Sequence, residues 1–198
     1  MITKDELLNY ATSKFTQFGS KHVTLDELAN DLGISKKTIY TYFKTKEDLV
    51  VASITCLLDA YAEDINRLIN SNGKDPILCV ILIYQRGFEY LKYFKPSFLF
   101  GLEKYYPKAF LLFNDFIKDL ANNRISPLLK EAQKNGNIKP DVNIDLLIKI
   151  YFFRVDNLLF KDNNLFESYS KETLLKHFVI FNLCGVITNN YTNEFIEI

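Results

Sequence analysis

Gly33 stands between two short amphipathic segments that each carry their own start signal, and this arrangement constrains the chain most tightly. Thr24 and Glu27 form a capping box ahead of Leu25, Leu28, Ala29 and Leu32, an apolar face at helical spacing. Ser35 is a good N-cap for a second segment that turns Ile39, Tyr42 and Phe43 inward. Gly33 tolerates the positive φ of a tight turn, and Ile34 plugs the corner. Two short helices joined at a glycine are the sequence form of a helix-turn-helix. The second helix presents Lys36, Lys37, Thr38 and Thr41 outward, where N-terminal residues of such a helix reach base edges in a major groove.

The rest of the chain also reads as helix. Thr3 and Glu6 form a capping box ahead of Leu8, Ala11, Phe15 and Phe18, and Gly19 ends that segment. Thr45 and Asp48 open a long helix to about Leu68, with a break at Ser71, Asn72 and Gly73. Pro76 begins a helix to about Phe94, and Pro96 and Pro107 bracket a short segment. A helix from Pro107 to about Lys134 is expected to bend at Pro127. Asn135–Pro140 reads as a turn, followed by helices near 144–160 and 171–191. The predicted fold is all-α: an N-terminal three-helix bundle with the helix-turn-helix, over 1–47, and a larger C-terminal helical domain over 48–198.

Formal net charge is zero, so the whole-chain balance announces no nucleic-acid partner. The local pattern does. Residues 32–46 hold Lys36, Lys37, Lys44 and Lys46 and no acid, enough to neutralise phosphates locally. Cys56, Cys79 and Cys184 are widely spaced, with no CxxC pair and only His22 and His177 beside them, so no metal site is expected. An odd cysteine count and a polar N-terminus fit a soluble protein of a reducing cytoplasm, and no apolar stretch is long enough to span a bilayer.

The run ISKKTIYTYFKTKEDL (34–49), preceded by VTLDELANDLG (23–33), resembles the DNA-binding region of the tetracycline-repressor (TetR) family over roughly residues 4–52. The resemblance implies a phosphate contact for Thr24, whose other reading is a helix cap alone, and a cap at Ser35 for the segment after Gly33, which either caps alone or also touches phosphate. It implies base reading by Lys37 and Thr38 with Lys36 nearby, and backbone contacts by the hydroxyls of Tyr40 and Tyr42. Lys46, at the head of helix four, would pair with a phosphate. Tyr42 has a second reading, packing beneath helix one. The first fifty residues contain no Arg, so the rigid guanidinium fork that reads guanine is missing from the reader.

Beyond residue 48 the sequence holds no phosphate loop, nucleophile elbow or acid–base cluster, so no enzymatic activity and no cofactor are expected. The resemblance implies a helical ligand-binding and dimerisation domain there. Twelve of the 29 Phe and Tyr residues fall between Tyr84 and Phe116, enough either to enclose an apolar pocket or to fill a core. Tyr84, Phe88, Phe100, Tyr105, Phe113 and Arg154 are the candidate effector contacts, for an apolar or aromatic small molecule. Arg86, Glu89, Arg154 and Asp156 lie in apolar helices, either as ligand-orienting charges or as internal salt bridges. Cys79 and Cys184 read as small core residues. The helices near 144–160 and 171–191 are apolar on more than one face, which calls for a second burial surface. That surface is either a twofold interface between two subunits or a hairpin buried within one, and the resemblance favours the homodimer. The expectation is a homodimeric, ligand-responsive repressor on a palindromic DNA operator; the alternative is a dimeric small-molecule-binding or interaction protein with weak or lost operator binding.

Overall fold

The computed structural model describes residues 2–92, 96–150 and 165–196. All regular structure among them is helical, apart from isolated bridges pairing Ile138 with Ile187 and Asn193 with Ile196. The chain divides into two compact units, Met1–Ala60 with Tyr93–Phe116, and Tyr61–Lys92 with Ile117–Ile198.

The first unit opens with α1 (Lys4–Phe18), α2 (Leu25–Asp31) and α3 (Lys36–Tyr42). Each start is fixed locally. Thr3 and Thr24 each accept from the backbone N–H three residues on, and Glu6 and Glu27 reach back to the cap N–H. Ser35 accepts from the Thr38 N–H. Gly33 adopts φ +63 between α2 and α3, as the turn requires. Leu7, Ala11 and Phe15 of α1, Leu25 and Leu28 of α2, and Ile39 and Phe43 around α3 form the core. Phe18 was expected inward but is 55% exposed; the buried stripe runs through Leu7 instead of Leu8, and the helix ends before another turn can bury. The unit also holds the first part of α4 (Lys46–Asn72), then α6 (Pro96–Tyr105) and most of α7 (Pro107–Asp119). α6 packs on α1, and Phe98, Leu102, Ala109 and Phe113 are buried.

The second unit contains the end of α4, α5 (Pro76–Lys92), α8 (Ser126–Lys134), a helical stretch over 144–150 (α9), α10 (Leu165–Ser168), α11 (Lys171–Leu175) and α12 (Phe181–Val186). α5 lies against α8 and α11 through Ile77, Val80, Ile81 and Ile83, with Leu128, Leu129, Leu174 and Leu175 equally buried. α4 runs through Ser71 and Asn72, past the expected break, because the Asn72 side chain donates back to the Leu68 carbonyl. The helix expected over 107–134 is interrupted by a turn of π geometry at Leu120–Ile125, where the Ser126 N–H bonds the Ala121 carbonyl. Pro127 lacks the N–H that would serve Asn123, and one extra residue in the turn accommodates it. A second π segment, Lys176–Ile180, joins α11 to α12, and the Asn182 amide donates to the His177 and Phe178 carbonyls there. That helix ends at Val186, short of the expected 191. Cys79 is buried as expected, but Cys184 is exposed, because α12 turns it away from buried Leu183.

Candidate nucleic-acid interface

α2 and α3 form the corner that the turn at Gly33 dictates, and α3 carries its polar side chains on the face opposite Ile39. Lys37 and Thr41 are exposed, Tyr40 is 47% exposed, and Thr38 is half-buried with its hydroxyl 2.9 Å from that of Ser35. Lys36 reaches across the corner to Asp26 on α2 at 2.9 Å, and this hydrogen bond raises the pKa of its ammonium. Lys37 and Lys44 are exposed beside it. Thr24 and Ser35 are both N-caps, so each hydroxyl is already oriented at a helix N-terminus, where anions are favoured.

Two of the expected backbone contacts are engaged within the protein. The Tyr42 hydroxyl donates to the Ile2 carbonyl at 2.9 Å. The Lys46 ammonium donates to the Lys21 carbonyl at 3.3 Å and lies 5.9 Å from the Phe15 ring and 5.7 Å from the Tyr106 ring. Burial lowers its pKa, and the nearby Glu27 carboxylate partly offsets this. Sequence reasoning gave Lys21 no role and counted Tyr106 only within the aromatic run from Tyr84 to Phe116. Lys21 donates to the Tyr105 hydroxyl at 2.8 Å, and the Tyr106 hydroxyl donates to the Ser20 carbonyl at 3.2 Å. Partners more than eighty residues apart leave no local signature.

The candidate effector residues fall in different units. Tyr84 and Phe88 belong to the second, with ring centroids 6.4 Å apart, and Phe88 meets Phe166 edge-on at 5.8 Å. Phe113, in the first unit, is buried, whereas Phe100 and Tyr105 of that unit are exposed. Arg154 and Asp156 lie outside the described residues. Within the second unit a cleft of about 380 Å³ between α4 and α5 is walled by Asp64, Arg67, Ser71, Leu82, Gln85 and Arg86. Asp64 accepts from Arg67, from Arg86 at 2.5 Å and from Tyr90 at 3.1 Å; Arg86 also reaches Glu89, which Lys171 approaches to 3.0 Å. Arg86 and Glu89 are thus members of a salt-bridge chain.

Residues 4–52 match the family model described as bacterial regulatory proteins, tetR family. The likeness to the tetR family model is confined to this N-terminal region, which contains the α2–α3 corner. The TetR-like segment is 47% identical over 55 residues to the uncharacterized HTH-type transcriptional regulator YhgD of Bacillus subtilis (strain 168), covering 28% of this chain and 29% of that protein. Over 120 residues the chain is 24% identical to IcaR of Staphylococcus aureus (strain Newman), the biofilm operon icaADBC HTH-type negative transcriptional regulator. That match covers 61% of this chain and 58% of IcaR, so the chain spans less than two thirds of either relative. The TetR fold extends further than the sequence match. Regulatory protein TetR from Rhodobacter sphaeroides superposes with a TM-score of 0.71 at 17% identity, covering 91% of this chain and 96% of that one. Transcriptional regulator FadR from Bacillus subtilis, solved in complex with stearoyl-CoA, gives 0.70 at 17% identity, covering 92% and 99%. Among the described residues no helix is long and apolar enough to cross a membrane.

Proposed function

We propose that this protein is a homodimeric, ligand-responsive transcriptional repressor of the cytoplasm that acts by binding and carries out no chemistry of its own. Residues 1–47 read DNA, and residues 48–198 bind the effector and form the dimer. The observation that carries this reading is the α2–α3 corner, with Lys37, Tyr40 and Thr41 outward and a hydroxyl cap at each helix start, inside a segment that matches the tetR family. Lys37 and Thr38 read bases, Lys36 assists, and Thr24, Ser35, Tyr40, Tyr42 and Lys46 serve the backbone, a division between anchoring and reading that such interfaces need.

Leu146 and Ile150 on α9 and Phe181 on α12 are exposed, which supports a subunit interface built from these segments. Two copies of α3 would then enter successive major grooves of a palindrome, with half-sites roughly 34–36 Å apart or a multiple of that. The Tyr84–Phe88–Phe166 ring cluster supports an apolar or aromatic effector, and the stearoyl-CoA complex of the FadR fold relative is in keeping with one. An effector lowers DNA affinity by as much as it prefers the conformation whose readers are wrongly spaced.

Fluorescence anisotropy with a labelled duplex from immediately upstream of the protein's own gene tests the reading. If about six phosphates are engaged, the log–log slope of affinity against salt is near −5. The reading fails if that duplex binds no more tightly than a scrambled one of equal length, or if no salt-dependent binding occurs.

A further inference from the structure

The turn after α1 is held by Lys46 at the head of α4 and by residues of α6 and the α6–α7 corner. Gly19 has φ +85, and Ser20 is fully buried. The Ser20 carbonyl accepts from the Tyr106 hydroxyl, and the next carbonyl, Lys21, accepts from the Lys46 ammonium. Gly101 of α6 comes so near that a Cβ there would stand 3.2 Å from the Ser20 Oγ. All these residues belong to the first unit.

Lys46 is therefore seated, but thinly. An ammonium has three donors. Here one is used on a neutral carbonyl, while two ring faces near 6 Å take up some of the charge. Among the described residues no carboxylate lies within ion-pair distance of it. Lys21, the one neighbouring cation on the turn, is drawn away to Tyr105, its ammonium 4.3 Å from that ring centroid. A phosphate oxygen is a stronger partner than any of these, because the hydrogen bond is then charged at both ends.

We propose that Tyr106 is a positioning residue for DNA binding: it docks the turn at Ser20 and supplies the ring that holds Lys46 in a seat inside the protein, from which a DNA phosphate draws it out. This rests on the repressor reading above. The seat lowers DNA affinity by what leaving it costs, so weakening the seat strengthens binding. Its occupancy is set by the α6–α7 corner, and Lys46 itself stays available for contact.

The test is a double-mutant cycle in the full chain, using the same upstream duplex, with thermal melts to confirm folding. Lys46→Met is expected to weaken binding and reduce the steepness of the salt slope by about one. Tyr106→Leu is expected to tighten binding roughly two- to five-fold, the range an exposed cation–π contact supplies, and to have no such effect in the Lys46→Met background. Tyr106→Phe keeps the ring and should bind within twofold of wild type. A readout without DNA accompanies these: the Lys46 Cε resonance of free protein should report a lower ammonium pKa in Tyr106→Leu than in wild type, because the ring favours the charged form, with Glu27 and Lys21 unchanged around it. Equal effects of Tyr106→Leu in both backgrounds, an unchanged salt slope in Lys46→Met, or identical Lys46 titrations overturn the proposal and leave the repressor reading standing. Absence of salt-dependent binding by wild type overturns both.

Discussion

Lys36 at the start of α3 and Asp26 in the first turn of α2 are joined across the corner at 2.9 Å. The pair places an acid beside the reader helix, where a phosphate would have to approach. Lys37, also exposed on that turn, forms no ion pair with a described residue. Both partners are exposed, so the contact adds little to stability. Asp26→Asn should leave the melting temperature within a degree or two and tighten duplex binding several-fold at low salt, with the gain fading as salt rises. Anisotropy at two salt concentrations checks this; weaker binding by Asp26→Asn would mean that Lys36 works only when held by its partner.

Thr24 is the cap of α2, and substitution separates this from its proposed phosphate contact. As a cap it satisfies the Glu27 N–H, and its loss in Thr24→Ala should cost about 1 kcal/mol. Asp at the same position caps as well as Thr does, but places a negative charge where the proposed phosphate contact lies. Thr24→Asp is therefore expected to unfold in urea at nearly the wild-type midpoint yet lose DNA binding by tenfold or more. If Thr24→Asp binds like wild type, Thr24 is a cap alone.

The N-terminal helices were legible because their starts are local events. Thr3, Thr24 and Ser35 each bond a group three residues on, so the signal sits within four letters. Gly33 was legible for the same reason, since the turn demands a backbone that few other residues adopt. What escaped depends on distant partners or on subtle register. Tyr42 offered two readings, and only the position of the Ile2 carbonyl reveals where its hydroxyl points. The stripe of α1 was read one residue off at Leu8, because Leu7 and Leu8 are equally apolar and only packing selects between them. Pro127 announced a distortion, but whether a helix kinks or widens is decided by neighbours that the spacing does not name. The tie between Tyr191 and Asp75, at 2.6 Å across 116 residues, had no sequence signal at all.

Gly33 provides a test of the corner itself. Its φ of +63 is the left-handed region, and an added Cβ would meet no atom within 4 Å. The cost of Gly33→Ala is thus backbone conformation without a clash, about 1–2 kcal/mol. Urea denaturation should show that loss with an unchanged m-value. DNA binding should fall by no more than the destabilisation explains, because α3 keeps its direction. A loss above about 4 kcal/mol would mean that the turn changes shape instead of straining.

Asp64 sets the acid limit of the second unit. Burial pushes its carboxyl pKa up, but the hydrogen bonds from Arg86 and Tyr90, with the charges of Arg86 and Arg67, outweigh burial and hold it below the ordinary carboxylate value. Glu89 is depressed in the same direction, by Arg86 first and Lys171 second. A carboxyl whose folded pKa lies below its unfolded pKa stabilises the fold fully above the unfolded value. That contribution is lost as pH falls through the folded one. The protein should therefore hold its stability from neutral pH down to about pH 5 and lose it steeply below about pH 4. Asp64→Asn keeps one acceptor oxygen but removes the negative charge that Arg67 and Arg86 share. Because Arg86 and Arg67 remain in contact with water, the cost at pH 7 is about 1–2 kcal/mol, well below that of breaking a fully buried pair. The difference between wild type and Asp64→Asn should shrink as pH drops below 4, where the wild-type carboxyl is also neutral. Urea midpoints measured at pH 7, 5 and 3 check both statements, and a difference that is constant across the three would show that the substitution acts through packing instead of charge.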